Sequence, residues 1–197
     1  MYTIIEDCSP YYIRFTHPGI EKIIDLCKQG IEGVEFTNSF THHKYTGPIR
    51  KEILNLIPLT TQLDLNEYRL SLFVTQPGRY YSAHKDSLNH RISLNYTVEI
   101  LDDACKTSWY ADNDLSMYKV VGLEPPTASR EIENFDKNKH IPLKLMTAKP
   151  NECILFNTDL WHDFDNSFST NRRAVLTLRM KNPGSFYFND AKQALFG

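Results

Sequence analysis

The feature that most constrains the fold is a series of short runs, beginning at residue 68, in which apolar and polar residues alternate. The clearest runs are RISLNYTVEIL at 91–101 and RAVLTLRMK at 173–181. Alternation with a period of two places one set of side chains on each face of a β-strand. Turn signals that contain Pro or Gly separate the runs, for example QPG at 76–78 and KPN at 149–151. The pattern therefore predicts many short strands joined by turns.

Two amphipathic segments precede these strands. Residues 20–30 place Ile20, Ile23 and Cys27 on one helical face, and a second short helix is expected at 48–56. A length of 197 residues fits one domain, and eleven Tyr and eleven Phe favour a pleated, half-buried surface. We predict a mainly β single domain with N-terminal helices packed against a sandwich or barrel. Its expected parts are a helical support at 1–60, a β core at 68–181 and a long loop or lid at 122–140. Besides the two runs named above, strands are expected at 68–75, 80–83, 107–111, 117–121, 143–147 and 152–157.

Composition narrows the classes of partner and the location of the protein. The net charge is −2, which lacks the cationic excess that neutralises a phosphate backbone, so no nucleic-acid partner is expected. The start, MYTIIEDCSPYY, lacks the features of a signal peptide, and no apolar run reaches the length that spans a bilayer. The four cysteines form no CxxC pair, which favours free thiols in a reducing compartment. We therefore expect a cytoplasmic protein with no membrane partner.

The motif with the strongest chemical meaning is His84-Lys85-Asp86. In an extended segment residues i and i+2 point to the same face, about 6 to 7 Å apart, so the imidazole and the carboxylate can bind one metal ion. A third ligand must come from another strand, and His162, which follows the apolar run ILFN at 154–157, is the best candidate. Two histidines and one carboxylate that leave open positions are typical of non-haem Fe(II) oxygenases. For the tripeptide alone, a pair of surface residues near a turn is the alternative.

The order of the surrounding segments resembles that of the 2-oxoglutarate/Fe(II)-dependent oxygenases. The resemblance spans about residues 68–180, and it is most similar to the aspartyl/asparaginyl β-hydroxylase and prolyl hydroxylase branches. It implies a double-stranded β-helix (a cupin-like jelly roll) in which His84, Asp86 and His162 hold the iron. An insertion at 102–140 separates the HxD motif from the distal histidine. The segments that carry the resemblance are QPGRYYSAHKDS, HRISLNYTV, KPNECILFN, LWHDFDNS and NRRAVLTLRM.

The resemblance also implies an arginine that holds the far carboxylate of 2-oxoglutarate, and Arg173 takes this role. A guanidinium suits it because two parallel N–H groups can bind a buried carboxylate. Alternation places Arg173, Val175, Thr177 and Arg179 on one face, so Arg179 remains an alternative. Arg172 then points outward, where a solvated surface charge is the simpler interpretation.

Other residues near the motif are candidate contacts of the cosubstrate. Arg91 and Ser93 share a face by spacing, and Arg91 is a candidate for binding the cosubstrate or a substrate carboxylate, with an ordinary surface residue as the alternative. Asn95 extends the same face. One of Tyr80 and Tyr81 faces the interior, and Tyr80 is the one that we assign to the cosubstrate site.

Polar residues beside the histidines have two interpretations each. Asp163 and Asp165 flank His162, where they could orient its ring or remain solvated turn residues. His42 and His43 are adjacent, so they cannot bind one ion from one face of a regular element, and we interpret them as loop residues.

The resemblance implies a hydroxylase that uses Fe(II), 2-oxoglutarate and O2, and releases succinate and CO2. The expected substrate is an unactivated C–H bond of an amino acid, either as a small molecule or as a peptidyl side chain. A mobile segment at 122–140 would help to exclude water. Two alternatives remain open: a cupin-type metal enzyme without 2-oxoglutarate, and a non-catalytic jelly-roll binding module. In a binding module the three metal-ligand candidates would not converge.

Overall fold

The computed structural model of the protein describes residues 2–57, 68–86, 91–116, 118–122, 130–180 and 187–197. Three helices lie in these ranges: α1 (Ile20–Gly30), α2 (Gly47–Leu56) and α3 (Phe188–Phe196). None of the helices in these ranges has both the length and the apolar character required to cross a bilayer. The strands in the same ranges are β1 (Thr3–Cys8), β2 (Tyr12–Thr16), β3 (Phe40–Lys44), β4 (Tyr68–Thr75), β5 (Arg79–Lys85), β6 (Ile92–Glu99), β7 (Lys106–Trp109), β8 (Val120–Gly122), β9 (Arg130–Ile132), β10 (Lys144–Thr147), β11 (Cys153–Asn157), β12 (His162–Asn166) and β13 (Arg173–Met180).

The strands form two antiparallel sheets. In the described ranges the larger sheet has the order β1-β2-β11-β6-β13-β4-β3, and the smaller sheet has the order β10-β7-β12-β5-β9-β8. Strands that are neighbours in a sheet are often distant in the chain, as in a jelly roll, where strands alternate between two facing sheets. The predicted fold class, a mainly β double-stranded β-helix with helices in its N-terminal part, is confirmed.

The main apolar core lies between the larger sheet and the helices. Leu176 and Leu178 of β13 face this core, together with Ile23 of α1, Ile53 of α2 and Phe188 of α3. Because side chains alternate across a strand, the β13 residues that alternate with Leu176 and Leu178 point to the opposite face. This inner face is directed towards the smaller sheet. The larger sheet therefore has one apolar face that anchors the helices and one inner face that is available for function.

A second apolar cluster fills part of the space between the two sheets. Phe156 and Tyr12 of the larger sheet contact Trp109 and Phe164 of the smaller one, and the rings of Tyr12 and Trp109 stack with centres 5.3 Å apart. Polar side chains line the cavity that adjoins this cluster. The interior is thus apolar at one end and polar at the other.

The N-terminal part is less helical than the sequence pattern predicts. Residues 2–57 contain β1, β2 and β3 as well as α1 and α2. In β2 four successive residues, Tyr12 to Phe15, are buried, which removes the alternation by which a strand is recognised. The segment predicted as helical support thus also supplies both ends of the larger sheet.

The insertion at 102–140 adds strands to the smaller sheet. Its described residues form β7, β8 and β9, and β9 pairs with β5 so that Glu131 lies opposite His84. The predicted loop at 122–140 therefore includes a strand at Arg130–Ile132 and a 3₁₀ turn at Lys137–Lys139, while residues 123–129 lie outside the described ranges. The strand expected at 117–121 corresponds to β8, and residue 117 is likewise outside them.

His17 connects the start of α1 to the end of α2. Its Nδ1 accepts a hydrogen bond from the Gly19 backbone N–H at 3.0 Å, and its Nε2 lies 2.9 Å from the Leu56 carbonyl oxygen, which can only accept. The ring must therefore be neutral, with its proton on Nε2. Burial lowers the pKa of His17, in agreement with this assignment.

We predict that His17 makes the fold sensitive to mild acid. Because its folded pKa lies below the unfolded value of about 6.5, its contribution is present above that pH and is lost as the pH falls. Between pH 7.5 and 5.5 the free energy of unfolding of the metal-free wild type should fall by about 1 kcal/mol more than that of His17→Gln. Urea denaturation at both pH values measures the difference, and equal losses in the two proteins would contradict the assignment.

Candidate metal centre

Antiparallel pairing of β5 and β12 brings the predicted metal ligands together. His84 lies directly opposite His162, and their ring centres are 4.3 Å apart. Asp86 follows the end of β5, and its backbone N–H donates to the Thr158 carbonyl oxygen at 3.1 Å. One potential ligand atom from each of His84, Asp86 and His162 lies within 4.8 Å of the others, and all three residues are buried. The three side chains can therefore bind the same metal ion, all from one side of it.

Each histidine is held in the form that a metal requires. His84 Nδ1 lies 2.8 Å from the Ser82 carbonyl oxygen, and His162 Nδ1 lies 2.8 Å from the Leu160 carbonyl oxygen. Because a carbonyl oxygen only accepts, each Nδ1 must carry the proton, which leaves an Nε2 lone pair for a metal. Burial lowers the pKa of both rings, to about 3 for His84, where the neighbouring His162 adds to the effect. Both imidazoles are therefore neutral without a metal.

An irregularity in β5 decides which tyrosine faces the cavity. Tyr81 is paired with Phe164, and His84 with His162, so three steps along β5 match two along β12. This bulge places Tyr81 on the same side as His84, although their odd spacing would separate them on a regular strand. Tyr81 lines the cavity, with its ring centre 4.5 Å from that of His84. The assignment of Tyr80 needs correction, because its hydroxyl instead donates to Asp163 at 3.1 Å and it is not among the lining residues.

Strand β13 presents two arginines to the cavity. Arg173, Val175, Thr177 and Arg179 all line it, as the alternation predicts. Arg172 points to the outside, where its Nε is 2.8 Å from a Glu99 carboxylate oxygen.

The surroundings of Arg173 suit an anion. Its side chain is 3% exposed, its Nε has no hydrogen-bond partner in the described structure, and its guanidinium carbon lies 4.7 Å from the centre of the Phe164 ring. No carboxylate among the described residues forms an ion pair with it. A buried guanidinium without an ion-pair partner is unfavourable, and a carboxylate that entered the cavity would remove this cost.

Strand β6 contributes polar groups, and one predicted residue is absent from the cavity. Ser93 and Asn95 are buried and line it, and Asn95 Oδ1 has no hydrogen-bond partner in the described ranges. Arg91 lies elsewhere, since its Nη1 is 3.4 Å from an Asp159 carboxylate oxygen and its guanidinium covers the Tyr187 ring. The assignment of Arg91 to the cosubstrate therefore needs correction: it precedes β6, so the alternation of that strand does not determine its direction.

The acidic neighbours of His162 do not orient its ring. Asp163 points to the other side of β12 and accepts hydrogen bonds from the hydroxyls of Tyr80 and Tyr110 and from the Ser108 N–H. Asp165 binds Lys137 and Ser167. Both aspartates thus hold the outer surface of the smaller sheet together, while a backbone carbonyl orients the histidine.

The cavity also includes a histidine that the sequence pattern assigns to a loop. His42 belongs to β3, lies opposite Phe73, and lines the opening of the cavity. The apolar-polar alternation of FTHHK is weak, so the strand is not evident from sequence, and only its pairing with β4 shows which histidine faces inward. His43, the next residue, points to the opposite face.

The cavity itself is small and partly aromatic. It encloses about 80 Å³, and Phe73, Phe156 and Phe164 form much of its apolar wall. The Phe156 ring centre is 4.9 Å from that of His162. Such packing fixes the rings and keeps bulk water from the face on which a metal would bind.

Comparisons with known proteins find similarity in structure but not in sequence. No protein-family model matches the chain, and no curated protein matches it. An oxidoreductase of the 2OG-Fe(II) oxygenase family from Burkholderia pseudomallei has a TM-score of 0.53 at 12% identity, over 82% of this chain and 77% of that one. A prolyl-4-hydroxylase from Pseudomonas putida has a TM-score of 0.55 at 10% identity, over 90% and 96%. The epimerase SnoN, crystallised with Fe3+, alpha ketoglutarate and nogalamycin RO, has a TM-score of 0.54 at 8% identity, over 86% and 78%. Structural similarity at such low sequence identity shows that the chain and these proteins share a fold.

We predict that a divalent transition metal stabilises the protein through these three side chains. A ligand that binds only the folded state at about 100 times its Kd adds roughly 2.7 kcal/mol to the free energy of unfolding. Ni(II) should therefore raise the Tm of the wild type and have little effect on His162→Ala. His43→Ala is the matched control, because that ring lies outside the cavity lining and should leave the metal effect intact. Equal Tm increases in all three proteins would show that Ni(II) binds elsewhere.

Proposed function

We propose that this protein is an Fe(II)- and 2-oxoglutarate-dependent oxygenase that hydroxylates an unactivated C–H bond of an amino acid or peptidyl side chain. The observation that carries the proposal is that one cavity holds both the metal-ligand triad and the buried Arg173, which has no ion-pair partner among the described residues. A triad of two histidines and one carboxylate is typical of non-haem Fe(II) oxygenases. Arg173 supplies a site for the far carboxylate of 2-oxoglutarate.

The spacing of the two parts supports a short dicarboxylate between them. The Phe164 ring lies close to both parts: its centre is 5.6 Å from that of His162 and 4.7 Å from the Arg173 guanidinium carbon. A short ligand that contacted both the metal and Arg173 would lie beside Phe164. Arg173 can then bind the far carboxylate through two parallel hydrogen bonds, which fix the orientation of the molecule.

Each residue has a distinct part in the proposed reaction. His84 and His162 would donate their Nε2 lone pairs to iron, and Asp86 would donate a carboxylate oxygen. When bound, ferrous iron and 2-oxoglutarate together activate O2, oxidise a substrate C–H bond, and yield succinate and CO2. Ser93 and Asn95, which line the cavity, would offer polar contacts along the cosubstrate, and the assignment of Ser93 to it stays a prediction. The phenyl rings exclude water, which protects a reactive centre from side reactions.

The choice of hydroxylation and of substrate draws on the chemistry of proteins with the same fold. The Pseudomonas protein of the same fold is a prolyl-4-hydroxylase, whereas SnoN is an epimerase, so this fold hosts more than one outcome. We propose hydroxylation, with a small molecule or a peptidyl side chain as substrate and without a nucleic-acid or membrane partner, and we retain the prolyl and aspartyl/asparaginyl hydroxylase branches as a hypothesis. A cytoplasmic location remains a proposal, which the four free cysteines support.

We predict that 2-oxoglutarate binds to the iron-loaded protein through Arg173. Anaerobic addition of Fe(II) and 2-oxoglutarate should produce a weak visible charge-transfer band, which His84→Ala should abolish. Arg173→Gln should weaken 2-oxoglutarate binding at least tenfold, because it removes one partner of a buried charge pair. Arg172→Gln is the matched control and should behave as the wild type, since Arg172 lies on the outside beside Glu99.

Three results would redirect the proposal. A wild type that binds iron but not 2-oxoglutarate would favour a cupin-type metal enzyme without this cosubstrate. Failure to bind any metal would leave a non-catalytic binding module. If succinate forms but no amino acid or peptide in a mass-spectrometric screen gains one oxygen atom, hydroxylation of that substrate class would be rejected.

A further inference from the structure

The inner face of the larger sheet carries a row of cationic side chains that ends at the metal-ligand triad. On β3 Lys44 is paired with Ser71, and on β4 Arg69 is paired with Arg179 of β13. Ser71 is in turn paired with Thr177, which lines the cavity beside Arg179. Because residues paired across strands share a face, Lys44, Arg69 and Arg179 belong to the inner face. We name these three residues the cationic row.

Arg179 is the innermost member of the row, and only part of its guanidinium is paired with a protein group. Its Nη2 is 3.1 Å from a carboxylate oxygen of Asp86. Its Nε is buried and has no hydrogen-bond partner in the part of the chain that the structure describes. A guanidinium has five N–H donors, and a buried donor without a partner is energetically unfavourable. An acceptor that enters the cavity beside Asp86 would remove this cost.

The formal charges of the cavity, with metal and cosubstrate bound, also sum to one positive charge. Two guanidiniums, Arg173 and Arg179, and one carboxylate, Asp86, line it, and the two ligand histidines are neutral. A divalent metal and a bound dicarboxylate cancel each other, so the loaded cavity remains positive by one. Glu131 does not line the cavity, and its carboxylate accepts a hydrogen bond from the Tyr81 hydroxyl at 2.6 Å.

The outer members of the row, Lys44 and Arg69, do not line the cavity but lie beside it on the inner face. Lys44 and Arg69 are exposed, and neither forms an ion pair with a residue in the described ranges. Arg69 faces Arg179 directly, and like charges in opposed positions of a sheet are destabilising. A bound anion would offset this repulsion. Before binding, the same charges attract anions towards the opening.

We propose that the substrate carries an oxyanion, a carboxylate or a phosphate, which Arg179 binds beside the metal ligands and which Lys44 and Arg69 draw into the cavity. The proposal rests on the function proposed above and narrows its substrate class to acidic small molecules or acidic side chains. Arg173 binds the cosubstrate, and Arg179 binds the substrate. The two arginines on one strand face thus have separate ligands.

The test is a comparison of charged and neutral probes of the same shape. Protein loaded anaerobically with Fe(II) and 2-oxoglutarate is titrated with benzoate, phenyl phosphate and benzamide by isothermal calorimetry, while the visible band reports whether 2-oxoglutarate stays bound. One of the two anions should bind at least tenfold more tightly than benzamide without loss of the band. The stronger of the two identifies the carboxylate or the phosphate as the preferred group.

Variants assign the preference to the cationic row. Arg179→Gln should reduce binding of the preferred anion to the level of benzamide, and Arg179→Lys should restore part of it. The exposed double variant K44Q/R69Q should lose about fivefold in affinity at low salt and less at high salt, because exposed charges are screened. Lys51→Gln, an equally exposed substitution on α2, is the matched control and should have no effect.

The outcomes separate this inference from the proposed function. If the wild type shows no band, the proposed function fails. If the band is present but the anions bind no better than benzamide, or displace 2-oxoglutarate, the assignment of Arg179 to the substrate is overturned. If K44Q/R69Q keeps the full preference and salt dependence, the role assigned to Lys44 and Arg69 is overturned. This variant keeps the cationic row testable should Arg179→Gln fail to fold.

Discussion

The candidate site depends on the register between β5 and β12. Pairing of His84 with His162 places two imidazoles side by side, and the carbonyls of Ser82 and Leu160 fix their protonation. A shift of one residue would turn one ring to the opposite side of the sheet and separate the ligands. The backbone hydrogen bonds of two strands therefore bring together the candidate metal ligands His84 and His162, and the backbone link of Asp86 to Thr158 places the third candidate beside them.

The larger sheet divides its two faces between stability and function. On β13 Leu176 and Leu178 pack against the helices. The residues that alternate with them, from Arg173 at the start of the strand to Arg179 near its end, line the cavity. A rigid strand anchored by its apolar face holds these charged groups in fixed positions, which is the condition for a preorganised site. The Arg173 guanidinium can therefore be buried without an ion-pair partner among the described residues, because the core behind it supplies the stability.

The sequence predicted the parts of the site that follow from simple periodicity. The alternation of RAVLTLRMK correctly assigns Arg173 and Arg179 inward and Arg172 outward. Periodicity fails where the backbone departs from it. Because of the bulge in β5, Tyr81 rather than Tyr80 faces the cavity. Strand β3 is too short and too polar to be recognised from sequence, so the position of His42 is not predicted. Arg91 lies just before β6, where strand alternation no longer applies.

By itself the sequence determined the fold class and predicted the residue types of the candidate metal centre, because the spacing of polar and apolar residues along a strand is a local property. It also determined that one face of β13 carries two arginines. Only the tertiary structure decided which strands are neighbours, and hence that Lys44 and Arg69 join Arg179. It also decided that Arg173 Nε has no hydrogen-bond partner among the described residues. These facts depend on pairing between distant segments, which the global packing of the two sheets selects and no local pattern encodes.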